Sequence, residues 1–161
     1  WTTERVQAAN DYAKSKGLTG FSVVSNNFSL ARLVNPPWTG CIDAMDPESR
    51  AWFEKTQTPL LAWSSLAKGF FAFADPKDES NRMLVDCWYA EDNFQRYDRA
   101  KELAAKKGVL PIQIALAYVL NQPFPVFPLV GPERLHELMV SLDALDIELT
   151  PDEVKWLNLE I

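Results

Sequence analysis

The spacing of apolar positions along the chain predicts several helices. The first run has apolar residues every three or four positions, can be capped by Thr2 or Thr3, and is ended by Gly17. Asp46-Pro47 is typical of a helix start, because aspartate caps free backbone amides and proline suits the first helical position. We therefore predict one helix in the opening segment and a second from Asp46-Pro47 to about Thr56.

Four further helices are predicted in the second half of the chain. Residues 92–107 are amphipathic and are followed by Gly108, whereas residues 111–121 are apolar on nearly every side and should be buried. A helix is expected at about 133–145. Thr150-Pro151-Asp152-Glu153 forms a capping box that opens a short terminal helix.

Three short segments rich in β-branched and aromatic residues predict strands near 21–25, 59–63 and 125–130. The intervening residues include helical runs, and strands joined in this way pair in parallel through right-handed crossovers. Residues 26–37 are irregular, and a loop is expected from the end of the second strand to Lys77. We found no repeat or linker, so the sequence predicts one α/β domain over residues 1–161.

Composition and charge exclude several classes of function. The 161 residues carry 16 Lys plus Arg against 22 Asp plus Glu, a net charge of −6 that disfavours nucleic acid or an anionic membrane as a partner. No apolar run approaches the roughly 20 residues of a membrane helix, and the first residues do not resemble a signal peptide. Cys41 and Cys87 lack metal-ligand spacing, which favours reduced thiols and a cytoplasmic protein. Because His136 is the single histidine, a metal site that needs several histidines of this chain is excluded.

Polar residues at the ends of the predicted strands are the candidate binding groups. The second strand runs directly into residues 63–69, where Trp63 can stack on a planar ring and Lys68 with the amides near Gly69 suits a phosphate. Ser25 ends the first predicted strand, and Gly131 follows the third. Each feature also has an ordinary explanation: a core tryptophan, a solvated lysine, a common turn. Three polar strand ends on one side of a parallel sheet together favour a ligand site.

Five motifs in this order resemble the C-terminal part of the aldo-keto reductase family. They are Phe28-Ser29-Leu30, residues 60–70, Leu129-Val130-Gly131-Pro132, Leu142-Asp143-Ala144-Leu145 and residues 149–154. The resemblance implies a partial (β/α)8 TIM barrel with about three of its eight strands, and an N-terminal half that lies outside these 161 residues.

The resemblance also implies which residues contact a cofactor. The family's catalytic Asp, Tyr, Lys and His belong to the other half, so no catalytic residue and no metal ligand is assigned to this chain, and we expect it to be inactive alone. The implied cofactor contacts are Ser25, Trp63, Ser64, Leu66, Lys68, Gly69, Gly131, Pro132, Arg134, Glu137 and Ser141.

Three of these positions depart from the usual family residue, and a fourth bears on the choice of cofactor. Ser25 stands where the family usually has Gln, and Glu137 and Ser141 stand where it often has Gln or Arg and then Asn. Arg134 is the arginine available for a 2′-phosphate, so the resemblance implies NADP.

Two functions remain open at this stage. The chain is either the cofactor-binding part of an NADP-dependent reductase of aldehydes or ketones, or a non-catalytic half-barrel that associates with itself or with a partner. A gene that extends upstream into the other half would favour the first, and a gene that starts near Trp1 would favour the second.

Overall fold

The computed structural model describes residues 1–161 and contains eight α-helices and two short strands. In chain order the elements are α1 Thr3–Ser15, α2 Pro47–Thr56, β1 Leu60–Ala62, α3 Phe70–Phe73, α4 Arg82–Trp88, α5 Glu91–Lys107, α6 Pro111–Leu120, β2 Val126–Pro128, α7 Leu135–Asp143 and α8 Pro151–Leu157. Short 3-10 turns occupy Ala67–Gly69 and Ala144–Asp146. The helices predicted from caps and spacing are present.

The strands form a small parallel sheet. β1 pairs with β2 in parallel over all three residues. The segment predicted as a strand at 21–25 lies beside β1 but makes only a parallel bridge between Val24 and Leu60, and Val24 N–H donates to Pro59 O at 3.0 Å. The prediction of a regular strand there was therefore wrong in extent. Phe21 and Val23 are exposed, because this segment pairs with the sheet on one side only.

The core surrounds α6, as its apolar sequence predicted. Every side chain from Gln113 to Val119 is buried. Tyr118 on α6 stacks on Phe28 with ring centroids 6.1 Å apart, and Phe28 meets Phe124 edge-to-face at 5.8 Å. No single helix is both long enough and apolar enough to cross a membrane. α5 and α6 meet these two requirements only when they are taken together, and they are bent by 98° at their junction.

Two short helices were not predicted. α3 lies inside the segment expected to be a loop, and it buries Phe70 and Phe71. α4 begins after Asn81, whose side chain accepts a hydrogen bond from Leu84 N–H at 3.2 Å. This asparagine cap is a local signal that could have revealed α4 from the sequence.

Candidate functional site

A cavity of about 860 Å³ opens at the carboxyl ends of β1 and β2. Its walls are the turn after β1, the segment after β2, the first turns of α7, and Leu110 and Ile112 at the start of α6. Ligands of parallel α/β proteins bind at this end of the strands, since the loops that follow the strands converge there. The position of the cavity agrees with the polar strand ends seen in the sequence.

The turn after β1, residues 64–69, concentrates unusual backbone conformations. Ser64, Ala67 and Lys68 have φ angles of 49°, 46° and 53°, and Gly69 follows at 84°. A Cβ added to Gly69 would lie 2.8 Å from Cδ2 of Phe73. Left-handed backbone is costly for residues other than glycine and clusters at ligand-binding sites. The turn therefore has the character of a binding loop rather than of an ordinary connection.

The same turn presents free hydrogen-bond donors. Ser65 Oγ donates to Leu129 O at 2.9 Å, which ties the turn to the segment after β2. The backbone N–H groups of Ser65 and Leu66 donate to no acceptor within the chain. Left-handed and turn conformations gather amides into anion-binding concavities, and Lys68 adds a positive charge on the cavity wall. These groups suit phosphate oxygens.

The opposite wall comes from the segment after β2 and from α7. Glu133 N–H donates to Glu137 Oε2 at 2.8 Å, and Ser141 Oγ donates to Glu137 O at 2.9 Å. A Cβ added to Gly131 would meet no atom within 4 Å, so the space beside it is open. His136, expected at the surface, is exposed and forms part of the rim.

Trp63 lies where β1 meets the cavity, and the indole of Trp38 packs against it. The indoles of Trp38 and Trp63 have centroids 4.8 Å apart and planes tilted by 30°. Asn27 Nδ2 donates to Trp63 O at 3.2 Å and fixes the backbone beneath it. Sequence reasoning missed Trp38, because it lies in the irregular segment before α2, far from Trp63 along the chain.

The structure gathers nine of the eleven sequence-predicted contact residues around this cavity. They are Trp63, Ser64, Leu66, Lys68, Gly69, Gly131, Pro132, Glu137 and Ser141. Ser25 lies outside it: its Oγ donates to Leu61 O at 3.2 Å, and it lines a separate cavity of about 280 Å³. Arg134 is exposed and does not line the cavity either.

The strongest pKa shifts fall outside the cavity. Burial raises the pKa of Asp43 to about 6 and raises that of Tyr118, and neither residue lines the cavity wall. No group of three or more His, Cys, Asp or Glu side chains is arranged to hold a metal ion. What the cavity offers is an aromatic ring, free amides, one lysine and two carboxylates, a set suited to binding an extended polar ligand.

Sequence comparison places these features among known oxidoreductases. Residues 1–158 match the model of the aldo/keto reductase family. The chain is similar to an aryl-alcohol dehydrogenase [NADP(+)] of Phanerodontia chrysosporium, with 29% identity over 95% of this chain and 40% of that protein. It also resembles a versiconal hemiacetal acetate reductase of Aspergillus parasiticus, with 31% identity over 62% of this chain and 31% of that protein. The chain thus spans about a third to two fifths of these relatives.

Solved structures show the same fold. A thermostable aldo-keto reductase crystallised with the inhibitor epalrestat superposes with a TM-score of 0.61 and 19% identity, covering 92% of this chain and 43% of that one. The aldose reductase of Schistosoma japonicum superposes at 0.60 with 12% identity, covering 99% and 39%. The predicted partial (β/α)8 barrel is confirmed by these neighbours.

Proposed function

The chain belongs to the aldo/keto reductase family, and we propose that it is the cofactor-binding part of an oxidoreductase that moves a hydride between a nicotinamide dinucleotide and an aldehyde or ketone. The observation that carries the proposal is the gathering of nine predicted contact residues around one cavity at the ends of β1 and β2. Residues from two loops and α7, far apart in sequence, meet there.

The residues present fit such a cofactor. The free amides of Ser65 and Leu66, with Lys68 beside them, suit the pyrophosphate, and Trp63 offers an aromatic face for the nicotinamide ring. Ser65 positions the turn through its bond to Leu129. When bound, the nicotinamide supplies the hydride, and the task of this chain is to hold the cofactor in place.

The complete enzyme's acid and base groups are proposed to lie in the other half of the barrel. We therefore expect the 161-residue chain to bind cofactor without reducing carbonyl compounds. NADP is the form that the resemblance implies, and it stands in the name of the fungal aryl-alcohol dehydrogenase. The choice between NADP and NAD depends on the end of the cavity near α7, where acidic side chains lie. A cytoplasmic location stays a prediction.

A calorimetric titration of the chain with NADH and with NADPH tests the proposal. We expect saturable binding of at least one dinucleotide, and Lys68→Ala should weaken it by about 1–3 kcal/mol, since a charged hydrogen bond is lost. Lys77→Ala removes an exposed lysine outside the cavity and should leave the dissociation constant unchanged. Absence of binding, or equal effects of the two variants, would contradict the proposed site.

A second candidate function is a non-catalytic half-barrel that associates with itself or with a partner. Exposed apolar side chains at both margins of the sheet favour it: Phe21 and Val23 on one side, Phe127 and Leu129 on the other. Such margins tend to be covered by another strand. Binding of a dinucleotide to the isolated chain would favour the first function over this one.

A further inference from the structure

The wall of the cavity formed by α7 and the segment before it is acidic. Glu133 and Glu137 both line it, whereas Lys68 belongs to the opposite turn. Arg134, the arginine expected to meet a 2′-phosphate, does not line the cavity. A ligand group that reaches this wall therefore meets two carboxylates and the imidazole of His136, and neither lysine nor arginine.

Glu137 also accepts a hydrogen bond from a backbone amide just before α7. Its Oε2 accepts the N–H of Glu133 at 2.8 Å, two residues before the first residue of the helix. The chain's own carboxylate therefore occupies the Glu133 amide, which faces the same wall. The second oxygen, Oε1, accepts no hydrogen bond within the chain and can accept one from a hydroxyl.

Resting on the proposed function, we infer that Glu137 selects an adenosine ribose with a free 2′-hydroxyl, so that the chain binds NAD(H) in preference to NADP(H). In dinucleotide-binding βαβ folds an acidic side chain accepts a hydrogen bond from the ribose 2′-hydroxyl, and Oε1 of Glu137 is free to do the same. A 2′-phosphate adds a charge of about −1.5 to −2 at pH 7 by analogy with other phosphate monoesters, and two carboxylates repel it. The inference reverses the NADP expectation drawn from the resemblance.

Calorimetric titration with matched ligands tests the inference on the 161-residue chain. NADH and NADPH are compared first, followed by 5′-AMP and 2′,5′-ADP, which isolate the adenosine end with and without the 2′-phosphate. We expect NADPH to bind about tenfold or more weakly than NADH, the scale of one charged hydrogen bond. Glu137→Gln should reduce the ratio, and Glu137→Arg should bring it to one or reverse it.

A charge-matched control separates local from general electrostatics. Glu54→Arg makes the same charge change on exposed α2, outside the cavity, and should leave the ratio unchanged. The inference is overturned if the wild-type chain binds NADPH as tightly as NADH or more tightly, or if Glu54→Arg changes the ratio as much as Glu137→Arg. Binding of neither dinucleotide overturns the proposed function itself, and the inference with it. If the arginine variant does not fold, Glu137→Gln still tests the inference, because glutamine is nearly isosteric with glutamate.

Discussion

Asp43 is a partly buried carboxylate that folding holds in an unfavourable environment. Its two oxygens accept the N–H groups of Leu33 at 3.2 Å and Met45 at 3.1 Å. Burial nevertheless raises the pKa of Asp43 from 3.8 to about 6; the two amides and Arg32 oppose this rise, and Asp46 adds to it. The protonated form is therefore favoured by the folded chain over the unfolded one.

Asp43 should make stability depend on pH in a defined direction. Because its pKa is higher in the folded chain, its contribution is fully present below about pH 4 and is lost as pH rises through about 6. Urea unfolding at pH 4, 5, 6 and 7 should show the wild-type chain losing about 2–3 kcal/mol relative to Asp43→Asn across this range. In the control variant Asp98→Asn, which changes an exposed carboxylate, the free energy of unfolding should change with pH in parallel with wild type. A constant difference between wild type and Asp43→Asn at all four pH values would contradict the assignment.

At the residue scale, the sequence predicted those binding residues that follow one another within a single short motif. Residues 63–69 were found because strand, hydroxyls, lysine and glycine follow one another. Trp38 was missed, and Ser65 was not assigned a role, because the partner of each lies more than 20 positions away in the chain. Arg134 was placed by counting along the sequence, which does not tell which way a side chain points before a helix begins.

At the element scale, one buried asparagine ties the loop after Phe28 to the start of α5. Asn93 Oδ1 accepts Arg32 N–H at 2.8 Å, while its Nδ2 donates to Arg32 O and to Trp88 O, both at 2.7 Å. The neighbouring Asp92 forms ion pairs through Oδ2 with Arg32 Nε at 3.0 Å and with Arg96 Nη1 at 2.7 Å. Burial opposes the ionised form of Asp92, but these two arginines hold its pKa below the ordinary value.

Asn93→Ala should therefore destabilise the chain strongly. The change leaves one buried and two partly buried backbone groups without their side-chain partner, and we expect the free energy of unfolding to fall by about 2–4 kcal/mol. Asn35→Ala is the matched control: Asn35 is exposed and makes a single bond to Asp86 O. It should cost less than about 1 kcal/mol in the same urea titration. Equal losses in the two variants would show that the Asn93 bonds do not fix the loop.

Elements with signals inside their own sequence were predictable, and elements stabilised from outside were not. α8 starts at its capping box, with Glu153 N–H donating to Thr150 Oγ1 at 3.2 Å and Thr150 N–H donating to Glu153 Oε2 at 2.8 Å. α3 has four residues and depends on burying Phe70 and Phe71 in the core. The segment around Val24 has a strand-like composition, but it pairs with β1 through an isolated bridge and does not form a regular strand.

At the scale of the whole molecule, the sheet has two open margins. β2 pairs only with β1, and the side chain of Phe127 within β2 is 55% exposed. On the other side Phe21 is 52% exposed. A closed barrel has no such margins, because its first and last strands pair. The chain covers 43% and 39% of the two solved relatives, so its fold presents surfaces that a complete barrel would bury.

Open apolar margins predict self-association of the isolated chain. Sedimentation velocity should show a weight-average mass that rises with concentration, because apolar strand edges pair with whatever strand is available. Phe127→Lys places a charge on the β2 margin and should reduce association, whereas Tyr12→Lys changes an equally exposed ring on α1 and should not. A monomer at every concentration would contradict the prediction and weaken the half-barrel alternative.

The contact between Trp38 and Trp63 has an optical consequence. Two indoles with centroids 4.8 Å apart and tilted by 30° are close enough for their electronic transitions to couple, which produces a paired positive and negative band in circular dichroism. Trp63 also lines the cavity, so a molecule that displaces either ring alters that signal. The chain thus carries a built-in chromophore pair, and occupancy of its cavity can be followed without a label, a substrate or turnover.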